Sequence, residues 1–589
     1  MTISKYSFAP ERYEAELTAL IGDLDALERF DQPGLEGVLR RHPKDGHGFF
    51  SKSQIIRGFR HLNRKYGWRR DERPFVERIR MKPVRTLSGV APVAVLTKPY
   101  PCPGRCIFCP SDVRMPKSYL SDEPGAQRAA QHGFDPYAQT LSRLVTLHNI
   151  GHDVDKVELI ILGGTWSFYP EAYKIWFVQR CFDAMNDFAA PRDEQPLDPA
   201  GPGADFRNLR EAVDGRSLER SYNRIVSEFL ARQRSPTGQG ESARWRDLER
   251  AQMINENARA RCVGLAVETR PDYLSLEEVV RIRRLGATKV QIGYQSLADE
   301  VLRLNKRGHD VAATRRAMRL LRAAGFKIHA HWMPNLYGSS PQADIEDFGR
   351  IFSDSAFRPD ELKIYPCSLI ESAELMSYFE AKRWRPYTRE ELLEVLAACL
   401  LQTPEYCRLT RVIRDIPGTD IVAGNKKTNF RELVEEELRR RGLASRDIRS
   451  REVRRRRIEP EELTLRRVDY ETSIGSEIFL QYVTPQDRLA GFLRLALPRR
   501  RAGIPEIRGS ALIREVHVYG RLAAIGDRTE GRAQHAGLGR SLVDEAACVA
   551  RRAGYPNLAV ISSVGTREYY RTLGFTDGKL YQHRRLACP

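Results

Sequence analysis

Val157-Glu158-Leu159-Ile160-Ile161-Leu162 runs directly into Gly163-Gly164-Thr165. A run this apolar and this short reads as a buried strand, because a helix needs more residues and the paired glycines end the element. Val263-Gly264-Leu265-Ala266-Val267-Glu268, Lys289-Val290-Gln291-Ile292-Gly293-Tyr294 and Phe326-Lys327-Ile328-His329-Ala330-His331 repeat the pattern, with helix-like stretches between most of them. Strands alternating with helices across residues 86–400 predict an α/β fold with a parallel sheet, open or closed as a barrel. The Pro- and Gly-rich stretch 191–205 interrupts the alternation and predicts a surface insertion, about 189–250.

Toward the amino terminus, the strand-like Val93-Ala94-Val95-Leu96 precedes a loop that reads Cys102-Pro103-Gly104-Arg105-Cys106-Ile107-Phe108-Cys109. Three thiolates within so few residues suit three corners of a cubane iron–sulfur cluster, which leaves the fourth iron open to a substrate or cosubstrate. A structural zinc site would need a fourth Cys or His to close its tetrahedron, and residues 110–129 contain neither. Cys102, Cys106 and Cys109 are therefore candidate ligands of a [4Fe–4S] cluster.

This spacing resembles the radical S-adenosylmethionine (SAM) superfamily, and the strand ends downstream agree with it. The resemblance implies a partial (β/α) barrel. It places Gly163 and Gly164 against the amino group of the methionine moiety, where absent side chains allow close approach of the backbone. Thr165 stands where the superfamily usually has Glu. Glu268, in Glu268-Thr269-Arg270-Pro271, and Gln295, in Gly293-Tyr294-Gln295-Ser296, end further candidate strands. Both join the cofactor-binding set, since functional groups of barrels gather at the carboxyl ends of strands.

Toward the carboxyl terminus, Gln534-His535-Ala536-Gly537-Leu538-Gly539-Arg540 opens a candidate helix, Ser541 to Ala553, after the strand Ile513 to Tyr519. Glycines there leave backbone N–H groups free to cradle a pyrophosphate at a helix amino terminus. A strand, Leu558 to Ser562, and then Tyr569-Tyr570-Arg571 with Gly574-Phe575 complete a succession similar to the GNAT acetyltransferase fold. A Rossmann reading fails, because no acidic ribose-binding residue follows at the expected distance.

A radical SAM domain followed by an acetyltransferase domain resembles the catalytic subunit of Elongator in its stand-alone bacterial or archaeal form. The resemblance rests also on Gly89 to Val95, Tyr137, Gly151 to Glu158, Asn305-Lys306-Arg307-Gly308-His309, Met333-Pro334-Asn335-Leu336, Arg414-Asp415-Ile416-Pro417 and Asp447 to Glu452. It implies carboxymethylation of carbon-5 of the wobble uridine in tRNA, with SAM and acetyl-coenzyme A (acetyl-CoA) consumed. A 5′-deoxyadenosyl radical would take hydrogen from the acetyl methyl group, and the carbon radical would add to the uridine ring. The resemblance puts acetyl-CoA on Gln534, Gly537, Leu538, Gly539 and Arg540, beside Glu515, Val516, His517 and Val518, with Lys156 reaching it from the barrel domain. Tyr569 and Tyr570 are the catalytic candidates, one of them orienting the thioester or a water. A protein lysine acetyltransferase with a structural cluster is the alternative reading; a noncatalytic RNA-binding scaffold is a third.

The chain carries 96 basic and 77 acidic residues, a net charge of +19, and only 17 of the basic residues are Lys. Guanidinium pairs bidentately with phosphate and stacks on bases, so nucleic acid is the first partner to consider; an Arg-rich proteome is the bland alternative. Clustering favours nucleic acid. Residues 57–85 hold eleven Arg or Lys against three acids, interleaved with Phe59, Tyr66, Trp68 and Phe75, and residues 439–457 hold ten Arg. The domain reading is thus 1–85, a basic helical tRNA-binding region in which Ser51 caps a helix up to Tyr66; 86–400, the radical SAM domain; 401–466, an Arg-rich linker; and 467–589, the GNAT domain. Besides the tRNA anticodon stem-loop, a one-electron donor is an expected partner, and homo-oligomerisation is left open. No apolar run approaches the roughly 18 residues that span a bilayer, and the amino-terminal MTISKYSFAPERYEAEL has no apolar signal core, so a cytoplasmic protein without a membrane partner is expected.

Overall fold

The computed structural model describes residues 8–586 apart from 29, 69–70, 82–85, 87, 189–221, 233–239, 415, 428, 455–459, 500–502 and 520–536. Seven parallel strands form the central sheet: β1 (Ala91–Leu96), β2 (Lys156–Leu162), β3 (Arg261–Thr269), β4 (Lys289–Gln295), β5 (Lys327–Trp332), β6 (Glu361–Ile364) and, past the short β7 (Leu369–Ile370), β8 (Arg408–Arg411). They pair in chain order, β1-β2-β3-β4-β5-β6-β8, which is the order of a partial (β/α) barrel. β2 shows why the sheet curls around a lumen. Val157, Leu159 and Ile161 are buried beneath the helices, while Lys156, Glu158, Ile160 and Leu162 alternate with them on the half-exposed face. Apolar side chains therefore hold the helical layer on, and the inside is shared by polar Lys156 and Glu158 with Ile160 and Leu162.

The segment 401–466 is not the linker that its arginines suggested. It contributes β8, β9 (Ile421–Ala423), a helix Phe430–Arg440 and a short helix Ile448–Arg451. Phe430, Val434, Leu438 and Ile448 are buried in the main core, so apolar spacing, not basic content, decided the fate of this stretch. The barrel domain accordingly extends beyond residue 400. The insertion also ends earlier than 250, since the helix Trp245–Asn255 buries Leu248 and Ala251 in the same core.

The carboxyl-terminal domain is a second seven-stranded sheet. β10 (Thr464–Thr472), β11 (Gly475–Val483), β12 (Leu489–Pro498) and β13 (Ala511–Val518) form an antiparallel meander, and β13 then pairs in parallel with β14 (Asn557–Val560). β16 (Gln582–Arg585) lies next to β14, with β15 (Thr576–Asp577) at the edge. The helix Leu538–Arg552 packs Leu542, Val543, Ala546 and Ala550 into this domain's own core. Around Pro10 to Ile79, helices Glu14–Asp25, Gln32–Arg41, Lys52–Tyr66 and Glu72–Ile79 bury a separate core. Ser51 and Gln54 form the expected capping box.

Barrel and carboxyl-terminal sheet meet through buried ions. Arg514 of β13 bonds both Asp360 oxygens (3.0 and 2.5 Å) and both Glu477 oxygens (2.9 and 2.7 Å); Arg322 bonds Glu477 (2.6 Å), and Lys327 of the barrel pairs with Glu515, which Arg494 of its own sheet also holds (2.8 Å). Such charges stay ionised only because each faces an opposite one.

Candidate active site

The cysteine loop follows β1 and is pinned from both sides. The Cys102 amide donates to Asn223 Oδ1 (2.8 Å), and the Asn223 side chain returns a bond to the Cys102 carbonyl (2.7 Å). Ile107 donates to the Asn305 carbonyl (3.3 Å) and accepts from the Leu375 amide (2.8 Å). The three cysteines are half-buried residues, and burial pushes the Cys109 thiol pKa up. Arg307 donates from Nη1 to Cys106 Sγ (3.2 Å) and from Nη2 to the Gly293 carbonyl (3.1 Å). Arg270, held by Asp272 and by the Arg307 carbonyl, lies so close that a Cβ on Gly104 would stand 2.3 Å from its Nη1. That Nη1 is buried and has no hydrogen-bond partner. Among the described residues no three His, Cys, Asp or Glu side chains converge on a single metal ion. Three thiols on one loop with guanidinium donors beside them fit a cluster that keeps one iron open, and not a closed zinc site.

β2 ends beside this loop. Gly163 has φ +125° and Gly164 +61°, and a Cβ on Gly163 would stand 2.1 Å from Thr97 Oγ1, so a side chain is excluded there by both conformation and space. Thr165 is buried with its hydroxyl 3.9 Å from Cys102 Sγ. Glu268, ending β3, accepts from the Tyr119 hydroxyl (3.0 Å), and His331 Nδ1 stands 3.6 Å from its other oxygen. Gln295, at φ +66°, ends β4 with its Oε1 buried and unpartnered. The structure thus brings the three cysteines, Gly163, Gly164, Thr165, Glu268 and Gln295 to one end of the barrel.

The remaining predicted residues lie at the other end. β13 and β14 pair only from Ala511 to Ile513 and then diverge, which leaves Glu515, Val516, His517 and Val518 without that neighbour. Glu515 is not free for a ligand: its carboxylate accepts from Arg494 Nε (2.8 Å) and pairs with Lys327 of β5. His517 stacks on Phe492, burial brings its pKa down to about 4, and its Nε2 has no partner, so it is a neutral imidazole. Gly537 caps the helix Leu538–Arg552 at φ +75°, with open space where a side chain would be. Leu538 is buried, a Cβ on Gly539 would meet Tyr569 Oη at 2.7 Å, and Arg540 donates to the Thr572 carbonyl (3.4 Å). Gln534 lies outside the described residues. The two tyrosines part company: Tyr569 is 41% exposed over the helix start, whereas Tyr570 is buried and faces the cavity described next. Lys156 stands at the amino end of β2, paired in register with Arg261, against which Gly565 of the carboxyl-terminal domain packs. Burial lowers its pKa.

A cavity of about 910 Å³ occupies the barrel lumen and reaches some residues of both ends. It runs from Cys109, Glu268 and Gln295 past Gln291, His331 and Lys363 to Glu515, His517 and Tyr570. Burial holds His329 and His331 neutral. Sequence reasoning missed this lumen, because polar residues inside β4, β5 and β6 carry no motif; their only trace is the alternation with apolar neighbours. Arg270 and Arg307 stand within motifs that assign them no role; the contact of Arg307 with Cys106 and the place of Arg270 beside Gly104 supply one. The basic clusters are partly spent inside the protein. Arg57 donates to the Phe8 carbonyl (2.6 Å), Arg60 to the His148 carbonyl (2.9 Å), and Arg449 and Arg451 bond Thr410 and Gln481, while Arg455 to Arg457 lie outside the described residues.

Comparison with known proteins places the family models on the barrel. The Radical SAM superfamily is matched over residues 237–348 and the Radical_SAM C-terminal domain over residues 359–440. The tRNA uridine(34) acetyltransferase of Methanocaldococcus infernus is 38% identical over 92% of this chain and 92% of its own, and that of Dehalococcoides mccartyi is 38% identical over 83% and 96%. Human Elongator complex protein 3 is 34% identical over 85% and 84%. The solved structure of the archaeal Methanocaldococcus infernus Elp3 lacking its amino-terminal residues 1–46 superposes with a TM-score of 0.66 at 35% identity, covering 85% of this chain and 99% of that one. No helix among the described residues is long and apolar enough to cross a membrane.

Proposed function

The chain belongs to the family of the Elongator catalytic subunit, and from that premise we propose that it is a tRNA wobble-uridine carboxymethyl synthase. The observation that carries the proposal is the pairing of two sites in one chain: a glycine-flanked cysteine loop at the carboxyl ends of the barrel strands, and a split sheet with a glycine-capped helix at the other end. The first site would hold the [4Fe–4S] cluster on Cys102, Cys106 and Cys109 and SAM along Gly163, Gly164, Thr165, Glu268 and Gln295. When bound, the cluster supplies the single electron with which SAM is cleaved, so a one-electron donor is a required partner. Arg270 and Arg307 offset the thiolate charge, and the bare backbone of Gly163 and Gly164 admits the ligand.

The second site is read as a GNAT acetyltransferase domain that takes acetyl-CoA. Backbone N–H groups following Gly537 meet the pyrophosphate, and the divergence of β13 from β14 receives the acyl arm between unpaired backbone groups. Tyr569 sits at the helix start, whereas Tyr570 faces the reacting end, so Tyr570 is the better placed of the two to orient the thioester or a water. Exposed arginines draw in the phosphate backbone of the anticodon arm, and a cytoplasmic location goes with a tRNA substrate. The lysine acetyltransferase alternative leaves the cysteine loop and its glycine cradle without a task.

The test is nucleoside mass analysis after incubating reconstituted enzyme with tRNA, SAM and acetyl-CoA labelled in the methyl carbon. Label in a carboxymethyl group at the wobble uridine is expected for the parent and not for Gly537→Glu, whose carboxylate would repel the pyrophosphate. An unlabelled carboxymethyl group made by the parent would exclude the route.

A further inference from the structure

Lumen-facing positions of a closed eight-stranded barrel are ordinarily filled by bulky branched side chains, so that its interior is a packed core. Here the middle of the lumen is walled by Ala94, Ile160, Gln291, His329, Lys363 and Thr410, and the cavity stays continuous past them from the cysteine loop to Tyr570. Lys363 is the odd member. Its Nζ donates to Gln291 Oε1 (2.5 Å), which also accepts from His331 Nε2 (3.1 Å), and it lies 5.9 Å from the Tyr365 ring centroid. Among the described residues no carboxylate lies within ion-pair distance of it, in contrast to Lys289 and Lys327 below, which pair with Glu158, Glu361 and Glu515. A buried ammonium that lacks a carboxylate has donor capacity left for a ligand oxygen.

We propose that the barrel lumen is the passage by which the acyl end of a coenzyme A thioester, anchored at the carboxyl-terminal sheet, reaches the cysteine-loop end, with Lys363 as a positioning residue for the acyl carbonyl oxygen. This rests on the two-site reading above and adds a route and a residue to it. β2 spans seven residues, about 20 Å at strand rise, so an arm that crosses the lumen must be extended over that length. The lower ion pairs line its entrance: Lys327 bridges Glu361 of the barrel and Glu515 of the other domain, so the entrance forms only when the two domains are docked.

The direct test needs no cluster. Protein lacking iron is irradiated with an acyl-CoA that carries a terminal diazirine, and the labelled peptides are mapped. Label on 289–295 and 361–364 is expected; label confined to the carboxyl-terminal sheet would overturn the passage. Ala94→Trp, which plugs the middle of the lumen, should lose that label and slow tRNA modification on the order of 100-fold, the cost of a reacting group held out of place. Thioester hydrolysis and SAM cleavage, assayed separately, should persist. Modification at the parental rate by the plugged protein would sink the idea. Lys363→Met should lower kcat and leave KM for acetyl-CoA in place, with partial rescue by Lys363→Arg; a rise in KM alone would remove the positioning role. If the parent consumes no acetyl-CoA at all, the two-site reading falls first and this one with it.

Discussion

Asp360→Asn is the perturbation that tests whether buried ions hold the two domains together. Asp360 is fully buried, and its oxygens accept from Arg514 (3.0 and 2.5 Å) and from the Ile328 amide (2.8 Å), with Arg494 at 3.6 Å. Arg322, Arg494 and Arg514 face the carboxylates of Asp360 and Glu477, while Glu515 is shared between Arg494 and Lys327. Removing one charge leaves three guanidiniums against Glu477 and a share of Glu515, and the new amide presents N–H groups to a guanidinium. Breaking a buried pair in this way costs about 3–5 kcal/mol. Docking of β13 against the barrel should then open on the order of 150- to 5,000-fold more often, at 1.36 kcal/mol per factor of ten. Hydrogen exchange of amides 511–518, followed by mass spectrometry in the regime where exchange reports the opening equilibrium, reads this number directly. Asp469→Asn, which removes an exposed partner of Arg467, is the control and should change protection by less than a few-fold. A change below tenfold for Asp360→Asn would mean that apolar packing, not the ions, sets the docking energy.

Gly163→Ala should abolish SAM binding and destabilise the barrel by about 2–6 kcal/mol through strain and overlap with Thr97, whereas Gly164→Ala, whose Cβ meets nothing closer than Tyr169 Oη at 3.9 Å, should cost about 1–2 kcal/mol; equilibrium dialysis and melting of both variants check this. Reversal of the exposed Arg439 and Arg440 to Glu should weaken tRNA binding and flatten the dependence of log affinity on log salt by about 0.7–0.9 for each phosphate no longer neutralised, and an unchanged slope would leave these arginines to genome composition. Burial lowers the Lys363 pKa to about 8, with Glu268 and Glu361 opposing the shift and Arg411 and Lys289 reinforcing it, while the neighbouring His331 is neutral. Because the folded value lies below the unfolded one, this group costs stability below pH 8 and ceases to as pH rises toward 10.5, so the fold gains from it in that window. The modification rate should nonetheless fall above pH 8 as the ammonium is lost, and Lys363→Arg should remove that alkaline limb; a parental rate flat from about pH 7 to 9 would contradict the assignment.

Local chemistry made much of this legible in one dimension. Three cysteines within one loop, glycines at the end of an apolar run and a glycine turn opening a helix are short-range constraints, and each carries its own physical reason within a few residues of chain. The alternation of strand and helix follows the same logic, since apolar periodicity reports which face an element must bury. The stretch 401–466 shows the limit: arginines are conspicuous in sequence, yet Phe430, Val434 and Leu438 decided its packing, and Arg451 was drawn into the interior by Gln481 and Asp487. Glu515 shows another, a residue read as lining the acyl arm whose carboxylate is committed to Lys327 and Arg494. Which polar residues point inward, which end of the barrel each site occupies, and whether one cavity reaches both depend on sheet curvature and domain docking, where partners sit up to 315 positions apart, as for Glu256 and Arg571. Sequence determined which residue types stand at each candidate site; only the tertiary structure decided that residues of both line one lumen, because a lumen belongs to seven strands at once and to none of them alone.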